Sequence, residues 1–494
     1  MPEQMDSYDV VVVGGGNAGH SAALSAAERG RRVLLLEKGV RGEHGGNSFY
    51  TAGAMRVTHG DVGSVRDLVD DDDRLDTTVL PAYTREDYLA DMERVTGGAN
   101  DAELTARLVE DSEPTMRWLK GHGLRFRLMY ERQAYLSERG DDEGRFVFWG
   151  GLALGSTGGG KGLVEQHEAA AARAGVEVRY GCAATELVAE DVRVTGLRYT
   201  DAAGVAGELR AESVILAAGG FEADAAMRRG HLGEGWQRAK VRGTPLNTGD
   251  MLRAALAIGA EAYGDWSTCH SVAWDAGADD VGDREVTNQL TRGGYPLGIV
   301  VNRDGKRFLD EGADFRNYTY AKYGAQILAQ PGGVAYQIFD ATTRPMLRSE
   351  EYDAAGTSVV SADSVEKLAA ALGLDEASLA TTVREFNAAI DRSVPFDAAV
   401  KDGRRADVEP PKSNWSLPVE TAPYYAFPVT CGITFTFGGL RADTNGRVLR
   451  ESGAPIDGLF VCGEMLGGLF SGNYPGGTGL VSGAVFGRRA GSLA

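Results

Sequence analysis

The chain has 494 residues, 43% hydrophobic and 24% charged, a globular composition whose length exceeds what one compact core supports, so two domains are expected. A formal net charge of −19 argues against nucleic acid or an anionic membrane surface as partner, and any anionic substrate then needs a local cluster of Arg or His working against the overall field. The four cysteines, Cys182, Cys269, Cys431 and Cys462, lie far apart with no C-x-x-C spacing, which excludes iron–sulfur, zinc and covalent-haem signatures, predicts no metal site, and fits a reducing compartment.

The segment Met1 to Asp9 lacks the basic and apolar regions of a signal peptide, and no run of about 18 apolar residues occurs, so a cytoplasmic protein without a transmembrane segment is expected. Residues 8–13 form a β-branched run that predicts a buried parallel strand. An Ala-rich helix is expected from about Ala18 to Arg29, ended by Gly30, and then a second strand over Val33 to Leu36. The acidic segment 61–76, with Asp at 70–73, reads as a solvated loop. Residues 101–121 read as an amphipathic helix or helix pair. A helix is expected over 161–174, and strands near 176–180, 186–188, 192–199 and 208–217. From about 265 the texture changes to mixed aromatic, Gly and polar residues, with helices near 364–371 and 378–391. The last 60 or so residues return to strand and Gly-rich patterns.

Gly14-Gly15-Gly16-Asn17-Ala18-Gly19 is a G-x-G-x-x-G sequence that follows a strand, opens a helix and is followed by Glu37 at the end of the second strand, the context a dinucleotide fold requires. Gly14 permits the tight turn, Gly16 close approach to a pyrophosphate, and Gly19 helix–strand packing. The helix N-terminus offers amide N–H groups to the phosphates, and Glu37 accepts from ribose hydroxyls. Gly155 to Gly162 superficially suggests a P-loop, but Gly162 stands where the Ser or Thr after Lys161 must be, so it reads as a Gly-rich turn before a helix.

Leu459 to Glu464, an apolar strand ending in Gly463-Glu464, resembles the second FAD motif of the glutathione reductase-type flavoproteins, and Val214 to Gly220 resembles their other shared strand and turn. A second G-x-G-x-x-G for a nicotinamide is absent. With Gly45-Gly46-Asn47-Ser48, Asn302 to Phe308 and the C-terminal Gly-rich turn, nearly the whole chain resembles the fumarate reductase and succinate dehydrogenase flavoprotein superfamily. Asp310 to Tyr318 and Asn473 to Leu480 resemble the tricarballylate dehydrogenases most closely.

The resemblance implies an α/β fold: a Rossmann-like FAD/NAD(P)-binding domain over 1–265 and 432–494, interrupted by an α+β cap of the fumarate reductase type over 266–431. It implies FAD contacts at Lys38, Gly46, Asn47, Ser48, Gly53, Ala183, Ala218, Gly219, Gly463, Glu464, Thr478, Gly479 and Leu480, in addition to the first glycine motif. Asn47 stands where respiratory members attach flavin to a histidine, so non-covalent FAD is expected. The implied chemistry is hydride transfer between a substrate carbon and flavin N5, with proton transfer at the neighbouring carbon.

By the same resemblance Arg316 is the proton carrier, Arg292 the second arginine of a relay whose glutamate is replaced by Gln289, and His270 a substrate-binding histidine. A histidine expected near Phe435 and an arginine expected near Tyr474 are missing. The Tyr474-Pro475-Gly476 turn also resembles the 3-ketosteroid dehydrogenases, where the tyrosine polarises a carbonyl. The expected activity is oxidation or reduction of a C–C bond beside a carboxylate of a small, tricarballylate-like anion. The alternatives are a dehydrogenase or desaturase acting beside a ketone and a flavin-binding subunit without chemistry of its own. An apolar pocket beside Tyr474, lined by Trp266, Trp274, Phe435 and Phe437, would favour the ketone. The electron acceptor or donor is left open.

Overall fold

The computed structural model describes residues 6–137 and 140–494; Met1–Met5 of the N-terminal stretch lie outside them. In chain order the elements that build the site are β1 (Ser7–Val13), α1 (Asn17–Glu28), β2 (Val33–Glu37), α2 (Gly159–Arg173), β3 (Glu177–Tyr180), β4 (Ala183–Glu190), β5 (Arg193–Thr200) and β6 (Ala206–Leu216). Then come β7 (Cys269–Asp275), β8 (Ile299–Asn302), α3 (Arg316–Leu328), β9 (Val334–Phe339), β10 (Tyr424–Thr436), β11 (Pro455–Val461) and α4 (Thr478–Leu493).

The first sheet runs β4-β5-β11-β6-β1-β2-β3. Its centre is β1, parallel to β2 on one side and β6 on the other. Val10 to Val13 are buried because a central parallel strand is covered on both faces, and each such side chain contributes about 1.5–3 kcal/mol over its exposed state. The strand order reverses at β1, and a crevice opens there beyond the carboxyl ends of the strands. Gly14, at φ 109°, makes the turn out of β1; a Cβ there would lie 2.3 Å from the Ala217 carbonyl oxygen.

Helices α1 and α4 touch almost backbone to backbone. A Cβ at Gly487 would lie 2.4 Å from the Ala18 oxygen, and one at Gly491 would lie 2.1 Å from the Ala22 oxygen. These glycines, four apart, share one face of α4. Their pairing brings the first turns of two helices, one from each end of the chain, to the same crevice, where the Asn17 side-chain amide donates to the Leu480 carbonyl at 2.7 Å.

The second sheet is built on β10. It pairs antiparallel with β7, β9 and the strand Val360–Ala362, and parallel with Lys240–Val241, while β8 extends the sheet beyond β9. Helix α3 lies against β7. Strand β10 runs unbroken through residues 431 and 432, so a boundary at 431 cuts a strand, and Lys240–Val241 joins the cap sheet from before residue 265.

The acidic segment 61–76 is not simply solvated. It forms the short turns Val62–Val65 and Asp73–Thr77, capped by the Asp61 and Asp72 side chains, and it buries Val65, Leu68, Val69 and Leu75. Charge counting missed the apolar residues spaced between the acids. Residues 102–121 form one helix despite Pro114. No helix among the described residues is long and apolar enough to cross a membrane.

Candidate active site

One continuous cavity runs from the β1–α1 turn to the seam between the two sheets, with about 1980 Å³ of empty space including its open mouth. At one end stand Gly14, Gly15, Gly16, Asn17 and Ala18. The N-cap of α1 is Gly16, which has no capping side chain; the Asn17 N–H goes to Ser48 Oγ, and the next amide N–H groups of the first turn are left to meet an anion. Glu37 is buried on the wall and fixed by N–H bonds from Gly15 at 2.8 Å and Gly39 at 2.6 Å. Burial pushes its carboxyl above the ordinary range. The Lys38 ammonium donates to Thr248 at 2.8 Å and pairs with Asp250 at 2.7 Å, fastening the 246–250 segment over this end.

Midway, Ser48 Oγ accepts from the Asn17 N–H at 3.0 Å. The Asn47 amide donates to the buried Glu222 at 2.6 Å and accepts from the Thr244 N–H at 2.8 Å. Asn47 thus faces the cavity with its amide already held by protein, and no histidine replaces it. Glu464 accepts the Thr436 N–H at 2.7 Å, joining the end of β10 to the turn after β11. Burial raises both the Glu464 and Glu222 carboxyls, and Glu222, close to Glu464, lies well above its ordinary value. Ala217, Ala218, Gly219, Gly463, Gly479 and Leu480 complete the wall. An uncapped helix end, a buried acid one strand away and an elongated cavity fit FAD.

At the other end the cap, the end of β10 and the Gly-rich turn before α4 together supply the side chains. Tyr474 and Tyr320 meet hydroxyl to hydroxyl. His270 stacks on Phe435 at 5.2 Å and meets the edges of Tyr320 and Tyr474 at 5.0 and 4.9 Å. Neither ring nitrogen of His270 has a hydrogen-bond partner among the described residues. Burial, then the Arg242 charge, holds its imidazole well below the ordinary pKa, so the ring is neutral. Tyr474 is pushed well above its ordinary value by burial and by Tyr320.

Arg242 lines this end, with bonds to the hydroxyls of Thr291 at 3.0 Å and Thr434 at 2.9 Å and the Trp274 ring 5.7 Å away. It is buried, which lowers its pKa, and it has no carboxylate partner among the described residues. Arg316 and Arg132 also line the cavity and gather on the buried Glu351, at 3.5 and 2.6 Å.

The expected residues do not all converge. Arg316, His270 and Tyr474 share the reaction end. Arg292 is not on the cavity wall: its guanidinium is buried in an ion pair with Asp275 at 2.7 Å and a bond to Thr357 at 3.1 Å. Gly19 lies beneath the turn, where a Cβ would be 1.8 Å from the Gly14 oxygen, and Gly53 lies against the backbone of Gly159. Ala183 faces away; its strand neighbours Cys182 and Ala184 line the cavity, the one-residue alternation of β4 deciding the face. Thr478 is buried behind the wall, accepting from Tyr88 at 3.1 Å. Trp266 stacks on Phe221 and Trp274 sits behind Arg242, so of the four aromatics only Phe435 and Phe437 line the cavity. Arg132, Arg242 and Tyr320 were not anticipated. Arg242 follows the two-residue strand Lys240–Val241, and Arg132 lies in a short helical turn far from the glycine motifs, so neither carried a local signal.

The family model described as FAD binding domain matches residues 9–481. A fumarate reductase (cytochrome) from Shewanella frigidimarina is 30% identical over 491 residues, covering 99% of this chain and 77% of that protein. The open conformation of a flavocytochrome c3 fumarate reductase superposes with a TM-score of 0.73 at 27% identity, covering 99% of this chain and 78% of that one. A 3-ketosteroid delta1-dehydrogenase from Sterolibacterium denitrificans has the same fold, with a TM-score of 0.75, 23% identity and 99% of each chain covered. The chain belongs to the FAD-binding family of the fumarate reductase and succinate dehydrogenase flavoproteins. It is an FAD-dependent oxidoreductase acting on CH–CH groups.

Proposed function

We propose that this enzyme dehydrogenates, or in reverse reduces, a C–C bond beside a carboxylate of a small polycarboxylate resembling tricarballylate. The observation that carries the reading is the excess of guanidinium at the reaction end. Arg132, Arg242 and Arg316 line it, and the carboxylates against them are Glu350 and Glu351, which Arg132 and Arg316 already engage, in a chain that is otherwise strongly acidic. Arg242, buried and without a carboxylate of its own, offers the group a substrate carboxylate would complete.

Bound FAD supplies the two-electron chemistry, taking or giving a hydride. Gly16, Glu37, Asn47, Ser48, Glu464 and the first turn of α4 would hold it. Arg242 orients the substrate by one carboxylate. Neutral His270 offers a further N–H, and Tyr474, kept protonated, donates to an oxygen on the reacting carbon's neighbour. Arg316 holds the proton exchanged with the carbon next to the hydride site. The aromatic rings around Tyr474 exclude water from the reacting atoms. The four cysteines are free and buried, consistent with a cytoplasmic enzyme.

The experiment is anaerobic addition of tricarballylate to the purified yellow protein. Bleaching of the oxidised-flavin band supports the reading; no bleaching by tricarballylate or related polycarboxylates, with a normal response to dithionite, counts against it. A second reading rests on the Tyr320–Tyr474 pair set among Phe435, Phe437 and Phe470: dehydrogenation beside a ketone whose oxygen takes the tyrosine O–H. Bleaching by cyclic ketones alone would select it.

A further inference from the structure

Arg316 is a partition between two cavities. A second, outer cavity of about 530 Å³ including its mouth lies behind the reaction end, and Gly293 and Arg316 line both. Its walls carry Tyr135, Trp149, Phe315 and Trp415, the first three with nearly parallel ring planes, 21° and 24° apart in succession. Met346, 40% exposed, stands at its rim, so the outer cavity communicates with solvent.

Glu351 sits in the floor of the outer cavity. Its Oε1 is shared by Arg132 at 2.6 Å, Arg316 at 3.5 Å and Arg348 at 3.7 Å. Its Oε2 is buried with no hydrogen-bond partner among the described residues. Gly293 makes the arrangement possible: a Cβ there would lie 2.9 Å from Arg316 Nη1 and 3.2 Å from Glu351 Oε2, so both groups press on the bare Cα that separates the cavities. The other ionisable groups about Glu351 are Glu350, paired with Arg132; Arg292, which donates to the Glu351 backbone carbonyl; Arg242; and the hydroxyls of Tyr135, Tyr295 and Tyr352, all three raised by burial. An unpartnered carboxylate oxygen beside three guanidiniums costs stability unless the site uses it.

We infer that Glu351 carries the proton between solvent in the outer cavity and Arg316, which rests on the reading that Arg316 exchanges a proton with the substrate carbon. In the reducing direction Arg316 gives a proton to carbon and becomes neutral. The Glu351 carboxylate takes a proton from hydronium in the outer cavity and passes it to neutral Arg316, returning to the carboxylate that the three guanidiniums hold. In dehydrogenation each transfer reverses and the proton leaves as hydronium. The C–H electron pair travels separately with the hydride, so no electron moves along this path. Gln289 cannot carry a proton and Arg292 is occupied by Asp275 off the cavity wall, so neither provides a competing route.

Two variants test this with the substrate that the wild type turns over. Glu351→Gln keeps the shape but not the proton: kcat falls about 100-fold with flavin content and KM retained, and added formate, a small proton carrier that fits the outer cavity, restores part of it. Ala398→Phe narrows the outer cavity at its partly exposed wall without touching Glu351, and raises the solvent deuterium isotope effect on kcat. Glu351→Gln at wild-type kcat overturns the inference, as does a loss that formate does not relieve together with an unchanged isotope effect in Ala398→Phe. If Glu351→Gln fails to fold, Ala398→Phe decides by its isotope effect alone. A wild type that no polycarboxylate or ketone reduces speaks against the proposed function instead, and that result is read before either variant.

Discussion

Tyr320 and Tyr474, 154 residues apart in the chain, meet hydroxyl to hydroxyl at the floor of the reaction end. One comes from α3 of the cap and the other from the Gly-rich turn before α4. Only one of two touching hydroxyls can donate to the other, so the second proton is free to point at a ligand. Because burial keeps both phenols protonated, the pair acts as a neutral donor. Tyr474→Phe is expected to lower kcat by about 100-fold while flavin absorbance stays normal. Tyr320→Phe is expected to do so less, since Tyr474 keeps its own hydroxyl. Steady-state kinetics on flavin-replete protein separates the two; equal and small effects would remove the pair from the chemistry.

Arg316 and Arg292 should separate by readout. Arg316 lines the cavity, so Arg316→Lys is expected to abolish turnover and leave FAD bound and thermal stability little changed. Arg292 pairs with buried Asp275, so Arg292→Met strands a buried carboxylate and costs about 3–5 kcal/mol of stability. Thermal unfolding beside a turnover assay checks both.

Arg242 has two threonine hydroxyls as partners and no counter-charge. Arg242→Met is expected to weaken binding of a polycarboxylate by about 2–4 kcal/mol, roughly 30- to 1000-fold in KM, because it removes one partner of a desolvated charge pair. A ketone substrate would show little change, so one KM comparison also discriminates the two substrate readings.

His20 and His167 stack at 5.4 Å beneath the start of α1, where His167 reaches Asn17 Oδ1 at 3.0 Å. Burial lowers both pKa values, His167 well below the ordinary 6.5. The folded state therefore binds these protons less readily than the unfolded chain. Their contribution is fully present above pH 6.5 and is lost as pH falls from there toward the folded values. His167→Gln removes one such group, so its Tm deficit relative to wild type should shrink from pH 7.5 to pH 5.5. A deficit that stays constant across this window would show that His167 does not drive the acid sensitivity.

The amide of Asn47 is engaged by Glu222, Thr244 and Thr434 and offers no nucleophile. Acid precipitation is expected to release yellow flavin into the supernatant. Flavin remaining in the pellet would mean a covalent link through another residue.

Local pattern decided much of this protein. The β-branched run into Gly14 and the acid at Glu37 specify a strand, a tight turn, a helix end and a ribose partner, because each demand falls on residues close in sequence. Gly463-Glu464 and the turn before Leu480 marked the other wall for the same reason. What only the tertiary structure decided is which charged side chains face the reacting atoms. Arg316 and Arg292 look alike in sequence, yet one opens α3 on the cavity wall and the other is locked by Asp275 behind it. Arg242, Arg132 and Glu351 come from three distant short segments and acquire a role only around the reaction end, where Arg132 and Arg316 share Glu351 and Arg242 lines the same cavity. A guanidinium's function is set by what surrounds it at a few ångströms, and those neighbours are brought together by sheet pairing across hundreds of residues.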